Sequence, residues 1–253
     1  MDCEIYIKRL DVVDSTNRYA RDEADALWNK RSGGDAVAVT ALHQTAGRGQ
    51  RGNVWQSQSG HNLLVSILVR PGNSLEVSRQ FSLSQVAAVS IHAAMKCYGI
   101  DTRLKWPNDI YVGNRKLAGI LVELDYSSAF VEQAIIGVGL NVNQTEFPSM
   151  DRVPVSMKML LGKEIPVEDV LRDVLCNFSH FYSEMRWGCN SAIPADYKAL
   201  LMGFGEQREY IDVDGAFLAV AEDVEPDGHL LLRRADGTLS RYAFKEVEMH
   251  ISD

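Results

Sequence analysis

The chain has 253 residues, 46% of them hydrophobic, and a formal net charge of −8, enough apolar material for one substantial core with a smaller unit beside it. The acidic balance argues against a surface built to release counterions from nucleic acid, which needs a field of lysine and arginine. The stretch after Gly205 is the poorest candidate for such a surface, with twelve acidic against five basic residues.

In chain order, Met1-Asp2-Cys3-Glu4-Ile5-Tyr6 has neither the basic start nor the apolar stretch of a signal peptide, and no run of about twenty apolar residues follows to span a bilayer. A cytoplasmic protein with no membrane and no nucleic-acid partner is expected. Ile5 to Val13 has strand composition, and Asp14-Ser15-Thr16 offers capping side chains ahead of a helical run to about Trp28. Gly33-Gly34-Asp35 breaks the chain before a β-rich run from Ala36 to Leu42. Leu63 to Val69 reads as a second buried strand, with a long polar loop between the two. Ser82 to Cys97 is apolar enough for a well-buried helix crossing a sheet, and Gly99 suits its stop.

Arg103 to Trp106, Ile110 to Val112, Lys116 to Leu124 and Val131 to Val138 read as strands joined by turns at Gly113-Asn114 and Tyr126-Ser127-Ser128. That many hairpins imply an α/β (α+β) fold with a mixed sheet flanked by helices, not a doubly wound parallel one. Pro166 to Trp187 and Ala192 to Leu201 have helical character, with Pro166 suited to a first turn. From Gln207 onward, short β-rich runs alternate with Asp214-Gly215, Asp227-Gly228 and Asp236-Gly237, spaced for a small antiparallel barrel of about five strands. The expected division is 1–204 and 205–253. Cys3, Cys97, Cys176 and Cys189 are widely spaced with no CxxC pair, so buried thiols are expected, with neither a zinc site nor a disulfide framework.

Gly47-x-Gly49-x-x-Gly52 formally matches a dinucleotide fingerprint, but Trp55 to Asn62 is polar and irregular and leads into a strand, where the fingerprint needs a helix facing a pyrophosphate. What remains is a glycine-punctuated loop whose Arg48 and Arg51 suit carboxylate or phosphate oxygens, or simply face solvent. Lys105-Trp106-Pro107-Asn108-Asp109 gathers a cation, an aromatic, a bidentate amide and a carboxylate at a strand end, though a turn beside a core tryptophan would look the same. Lys116 follows a tight turn, and Gly119 stands where a backbone could approach a ligand; an edge lysine blunting a sheet is the plainer alternative.

Taken in order and spacing, Ser15-Thr16-Asn17, Gln44-Thr45-Ala46-Gly47-Arg48-Gly49, Lys105 to Asp109, Arg115-Lys116-Leu117-Ala118-Gly119 and Gly137-Val138-Gly139-Leu140-Asn141-Val142-Asn143 resemble the catalytic domain of biotin protein ligases, over roughly Asp14 to Asn143. The C-terminal β-region is similar to that family's SH3-like barrel in pattern and position. The resemblance implies activation of biotin by ATP to biotinyl-5′-AMP, then transfer to a lysine of a biotin carboxyl carrier protein. It implies biotin contacts from Ser15, Thr16, Asn17, Gln44, Gly47, Arg48, Gly49, Gln50, Trp55, Lys116, Gly119 and Gly137, with Arg48 and Lys116 as the catalytic cations. Arg51, Lys105, Asn108 and Asn141 would contact ATP or the adenylate, and Asp109 would hold Mg²⁺ on the ATP oxygens. The loop would be mobile when empty and ordered over the intermediate, and the C-terminal unit would close the ATP side and help dock the carrier.

The chain departs from the family pattern at Gln50, where a second arginine is frequent, and at Asn53, where a basic residue is frequent; Arg51 is the expected substitute charge. The matching region begins at Asp14, so the expected type is stand-alone, lacking an N-terminal DNA-binding module, as a monomer or a homodimer. Two other classes fit less well. A lipoate or octanoate ligase or transferase would show motifs other than Gly-Arg-Gly followed by Lys-Trp-Pro-Asn-Asp, and a catalytically silent biotin-binding module would not need both Arg48 and Lys116.

Overall fold

A computed structural model describes residues 5–31, 33–148, 153–188 and 192–251. The first half runs β1 (Tyr6–Val13), α1 (Thr16–Asp22), α2 (Ala24–Trp28), β2 (Ala36–Gln44), β3 (Leu63–Val69), α3 (Ser82–Cys97), β4 (Arg103–Lys105), β5 (Asp109–Val112), β6 (Arg115–Ser127) and β7 (Phe130–Leu140). The second half runs α4 (Met157–Leu161), α5 (Val167–Arg186), α6 (Ala192–Leu200), β8 (Gln207–Asp212), β9 (Gly215–Val224), β10 (Leu230–Arg234), β11 (Leu239–Tyr242) and β12 (Val247–Met249). Helix α4 was not anticipated: at five residues it is too short to show a periodicity, and its ends are set locally by the Ser156 cap and by Gly162 at φ +70°.

Seven strands pair in the order β1-β2-β3-β7-β6-β5-β4, with β1 and β2 parallel and the other neighbours antiparallel, so the sheet is mixed as expected. Strand β3 is buried along its whole length. Its Leu63, Val65, Ile67 and Val69 join the main core with α3 and α5, while Leu68 joins Ala20, Leu27, Val37, Val39 and Ile135 beneath α1 and α2. Each such aliphatic side chain contributes roughly 1.5–3 kcal/mol by leaving water. Because side chains alternate across a strand, Ser66, Gly137, Leu121 and Glu123 share the α1 face with Leu68 and Ile135.

The C-terminal strands form an antiparallel sheet ordered β11-β10-β9-β8-β12. The Asp-Gly pairs occupy its three hairpin turns, with Gly215, Gly228 and Gly237 at φ +119°, +101° and +88°. The expected five-stranded antiparallel unit is present, and among the described residues no ladder joins β11 to β12, so its sheet is not closed. The chain turns back at Lys245, at φ +71°, and β12 pairs with β8 instead. Tyr210, Ala219, Leu232 and Val247 of this sheet belong to the same apolar cluster as α3 and β3. Trp106 fixes the contact between the sheets: its ring meets Phe244 edge-on at 5.4 Å and its Nε1 donates to the Gly228 carbonyl at 3.0 Å.

The expected buried thiols are corrected for two of the four: Cys97 and Cys176 are exposed. The buried stripe of α5 runs through Val170, Val174, Leu175, Phe178 and Tyr182, which turns Cys176 outward, and Cys97 closes α3 beyond its last buried residue, Met95. Cys3 and Cys189 lie outside the described residues. Among the described residues no helix is long and apolar enough to cross a membrane.

Candidate active site

The turn from β1 into α1 is built by short polar side chains. Ser15 has extended backbone and its hydroxyl accepts from the Arg18 amide at 3.5 Å, while its own amide donates to Asp14 Oδ1 at 2.6 Å. This turn sets Thr16 and Asn17, both buried, against the sheet. The Thr16 amide donates to Gln44 Oε1 at 2.7 Å, and the Thr16 hydroxyl lies 3.0 Å from that oxygen and 2.8 Å from Ser66 Oγ. Asn17 Oδ1 has no proton of its own, so Ser66 donates to it, at 2.6 Å. Asn17 Nδ2 then donates to Glu123 Oε2 at 2.9 Å. Sequence reasoning missed Ser66 and Glu123. Their signals were a lone hydroxyl in Leu63 to Val69 and a lone acid in Leu117 to Leu124.

Beside this neutral network the sheet is paved with glycine. Gly119 faces Gly139 across β6 and β7, and Gly137 lies one step further along. A Cβ at Gly139 would stand 2.4 Å from the Trp55 indole, and one at Gly137 would stand 2.3 Å from Asn17 Oδ1. Trp55 reaches this floor from a tight hairpin in which its amide donates to the Gly47 carbonyl at 3.0 Å and the Gly49 amide donates to the Asn53 carbonyl at 2.7 Å. A 3₁₀ turn at Gln50–Gly52 closes the hairpin, and the next regular element is strand β3, so no helix N-terminus faces a dinucleotide.

The other end of the floor is cationic. Strand pairing steps from Ile110–Ala118 to Tyr111–Lys116, leaving Leu117 as an extra residue. This bulge reverses the alternation and turns Lys116 onto the face of Gly119. Its Nζ lies 2.7 Å from Asp109 Oδ1 and 5.8 Å from the Trp55 ring centroid. Asn108 is braced by its Nδ2 donating to the Ile120 carbonyl at 2.7 Å, and buried Lys105 pairs with Glu248 of the second sheet at 2.9 Å.

These features border one cleft of about 1180 Å³, whose far wall carries Asp212, Arg234, Arg241, Tyr242 and Lys245. Of the expected site residues, Ser15, Thr16, Asn17, Gln44, Arg48, Gly49, Gln50, Trp55, Lys105, Asn108, Asp109, Lys116, Gly119 and Gly137 border it. Gly47 sits behind it, its Cβ position 2.4 Å from the Trp55 carbonyl oxygen. Asn141 is buried, its Nδ2 donating to the Val155 carbonyl at 3.1 Å, and supports the strand that carries Lys116. The Arg51 side chain lies outside what is described. Arg48 and Lys116, the expected catalytic cations, each face a carboxylate: Arg48 is 3.1 Å from Glu123, and Lys116 is 2.7 Å from Asp109.

On the far wall Arg234 reaches Asp212 Oδ2 at 2.7 Å and the Tyr242 hydroxyl at 2.6 Å. Burial alone would raise the Asp212 carboxyl, but hydrogen bonds from Tyr242 and the Asp214 amide, with the Arg234 charge, hold it below the usual carboxylate range.

The family model for the biotin/lipoate A/B protein ligase family matches residues 10–141. The chain is 37% identical over 234 residues to the biotin–[acetyl-CoA-carboxylase] ligase of Paracoccus denitrificans, covering 89% of this chain and 93% of that one. It is 30% identical over 236 residues to the bifunctional ligase/repressor BirA of Bacillus subtilis, covering 92% of this chain and 71% of the relative. The structure of a biotin protein ligase from Aquifex aeolicus in complex with biotin and ATP superposes with a TM-score of 0.78 at 25% identity, over 98% of this chain and 99% of that one. Matched from Leu10 to Asn141, and along nearly the full length of the Paracoccus enzyme, the chain belongs to the biotin/lipoate A/B protein ligase family.

Proposed function

We propose that the chain is an ATP-dependent ligase that activates biotin as biotinyl-5′-AMP and transfers the biotinyl group to a lysine of a biotin carboxyl carrier protein. The observation that carries this reading is the polarity of this cleft: a buried donor–acceptor network of neutral side chains at one end, a glycine floor under an indole, and two lysines at the other. A uncharged ureido head needs the first, since its polar atoms cost a few kcal/mol when buried without partners. An apolar acyl chain needs the second, and a carboxylate meeting a polyphosphate needs the third.

In the first step a carboxylate oxygen of biotin attacks the α-phosphorus of ATP, an oxygen–phosphorus bond forms, and pyrophosphate leaves with the electron pair of the broken bond. Both reactants are anions, so fixed cations that neutralise the charge shared in the transition state lower the barrier. Lys116 supplies this at the acyl end, its ammonium aimed by Asp109, and Lys105 supplies it nearer the second sheet. Asp109 already faces a cation, a poor setting for a direct metal ligand, so in this reading Mg²⁺ arrives on ATP's own phosphate oxygens. In the second step the carrier amine, neutral when it attacks, forms the amide bond and AMP leaves. Residues 205–253 close the nucleotide side, a reading supported by the Lys105–Glu248 pair that ties their sheet to the cleft.

The test is biotin-dependent ATP/pyrophosphate exchange with Mg²⁺, with octanoate and lipoate in parallel. Exchange with biotin alone, reduced at least about a hundredfold in Lys116→Ala, is the expected result. Exchange with lipoate or octanoate instead overturns the substrate assignment, and none with any acid despite biotin binding overturns the enzyme reading.

A further inference from the structure

Ser66 on β3 is a buried hydroxyl that the proposed reaction leaves without a role. It packs behind Thr16 and Asn17, its Oγ 2.6 Å from Asn17 Oδ1 and 2.8 Å from Thr16 Oγ1. We propose that Ser66 is a positioning residue that sets the direction of this hydroxyl chain, so that the Thr16 proton is spent inside the wall and Thr16 meets a ligand's head as a hydrogen-bond acceptor only. The inference rests on this end of the cleft taking the ureido head.

The direction of the chain follows from its protons. Two members cannot exchange roles. Asn17 Nδ2 faces Glu123 Oε2 at 2.9 Å and the Leu121 carbonyl at 3.5 Å, both acceptors, so the amide cannot turn round and its Oδ1 faces Ser66. Gln44 Oε1 faces the Thr16 amide at 2.7 Å, which only donates, so the Gln44 amide is fixed in the same way. Ser66 has one proton, and it goes to Asn17. The contacts of Thr16 Oγ1 with Ser66 Oγ and, at 3.0 Å, with Gln44 Oε1 therefore both draw on the single Thr16 proton. Thr16 and Gln44 border the cleft, so this wall offers a lone pair on Thr16 together with an N–H donor on Gln44. A cyclic urea carries the matching pair, an N–H beside a carbonyl, and the far ends of lipoate and octanoate carry neither. An oxygen in place of that N–H would face a lone pair with no proton between them.

Calorimetric binding without ATP tests this, with biotin and the two cyclic carbamates in which one or the other ureido N–H is replaced by oxygen. Wild type should prefer biotin over at least one carbamate by roughly tenfold or more. In Ser66→Ala the Thr16 proton is no longer drawn to Ser66 and can turn to the carbamate oxygen, so that preference should fall about three- to tenfold. A merely structural loss would weaken both ligands alike and leave the ratio in place, and an unchanged ratio overturns the proposal. A second arm contains no ligand. In urea, the double variant Ser66→Ala with Thr16→Val should lose less of its unfolding midpoint than the two single losses summed, and additive losses overturn the chain. Should Ser66→Ala fail to fold, Ser66→Cys, a weaker donor and acceptor, replaces it in both arms. Neither arm contains ATP, so failed pyrophosphate exchange would refute the proposed reaction alone. If wild type binds no biotin, the reading of this site falls, and the urea cycle still judges the hydroxyl chain.

Discussion

On the wall of the cleft made by β3, β6 and β7, Thr16, Asn17 and Ser66 are almost wholly buried, their polar atoms are bonded to one another, and glycines let an indole and an amide touch the sheet. On the wall made by the second sheet, Arg234 and Arg241 pair with carboxylates and remain 30% and 50% exposed. The difference is one of tolerance. A closely packed wall of neutral groups has no room for a methyl group and no water to rescue an orphaned oxygen, whereas an exposed ion pair that is lost is largely replaced by solvent.

The sharpest way to break this comparison is to add one carbon to the packed wall. Gly137→Ala should weaken biotin binding roughly 10- to 100-fold by calorimetry, because Asn17 must move away from Ser66 and Glu123 and such overpacking costs about 1–3 kcal/mol. Gly139→Ala should do the same through Trp55. If either binds biotin as tightly as wild type, the floor is not the acyl site. Ser66→Ala comes next: it leaves Asn17 Oδ1 without its donor and should lower stability by about 1–3 kcal/mol in urea. On the exposed wall, Glu225→Gln should cost under about 1 kcal/mol, because its partner Arg241 is 50% exposed and keeps Asp227 as a second carboxylate. A larger loss would mean that the two walls do not differ as described. The smallest effect is that of acid. The Asp212 carboxyl is held below its ordinary range, so its contribution is present at neutral pH and is lost only as pH falls below that range through the lowered value. Asp212→Asn should lower the neutral limb of a thermal-melt series and flatten its acid limb, so that the two proteins converge at low pH.

Within the site, legibility follows chain distance. Ser15 and Thr16 were readable as a turn because a helix cap is decided by the next three residues, and Gly119 as a place of close approach because it follows a turn and a lysine, whereas Asn17 and Gly137 entered only through the family resemblance. Asn141 was readable as a motif but not as a supporting residue, since its partner Val155 comes from a later segment. The open C-terminal sheet was out of reach for a similar reason: the Asp-Gly turns announce hairpins, but where the last strand goes depends on the turn at Lys245 and on the free edge of β8.

The sequence alone determined the order of the longer elements, though not the short α4, the mixed character of the main sheet, the hairpin turns and the residues of the loop and lysine motifs, because capping, turn chemistry and side-chain periodicity act between near neighbours. Only the tertiary structure decided that Leu117 bulges and so brings Lys116 onto the cleft face, that Ser66 and Glu123 complete the head end, and that the second sheet forms the far wall. Those outcomes depend on strand parity and on contacts 49 and 106 residues apart for the two hydrogen bonds of Asn17, and such partners meet only once the whole sheet has closed its core.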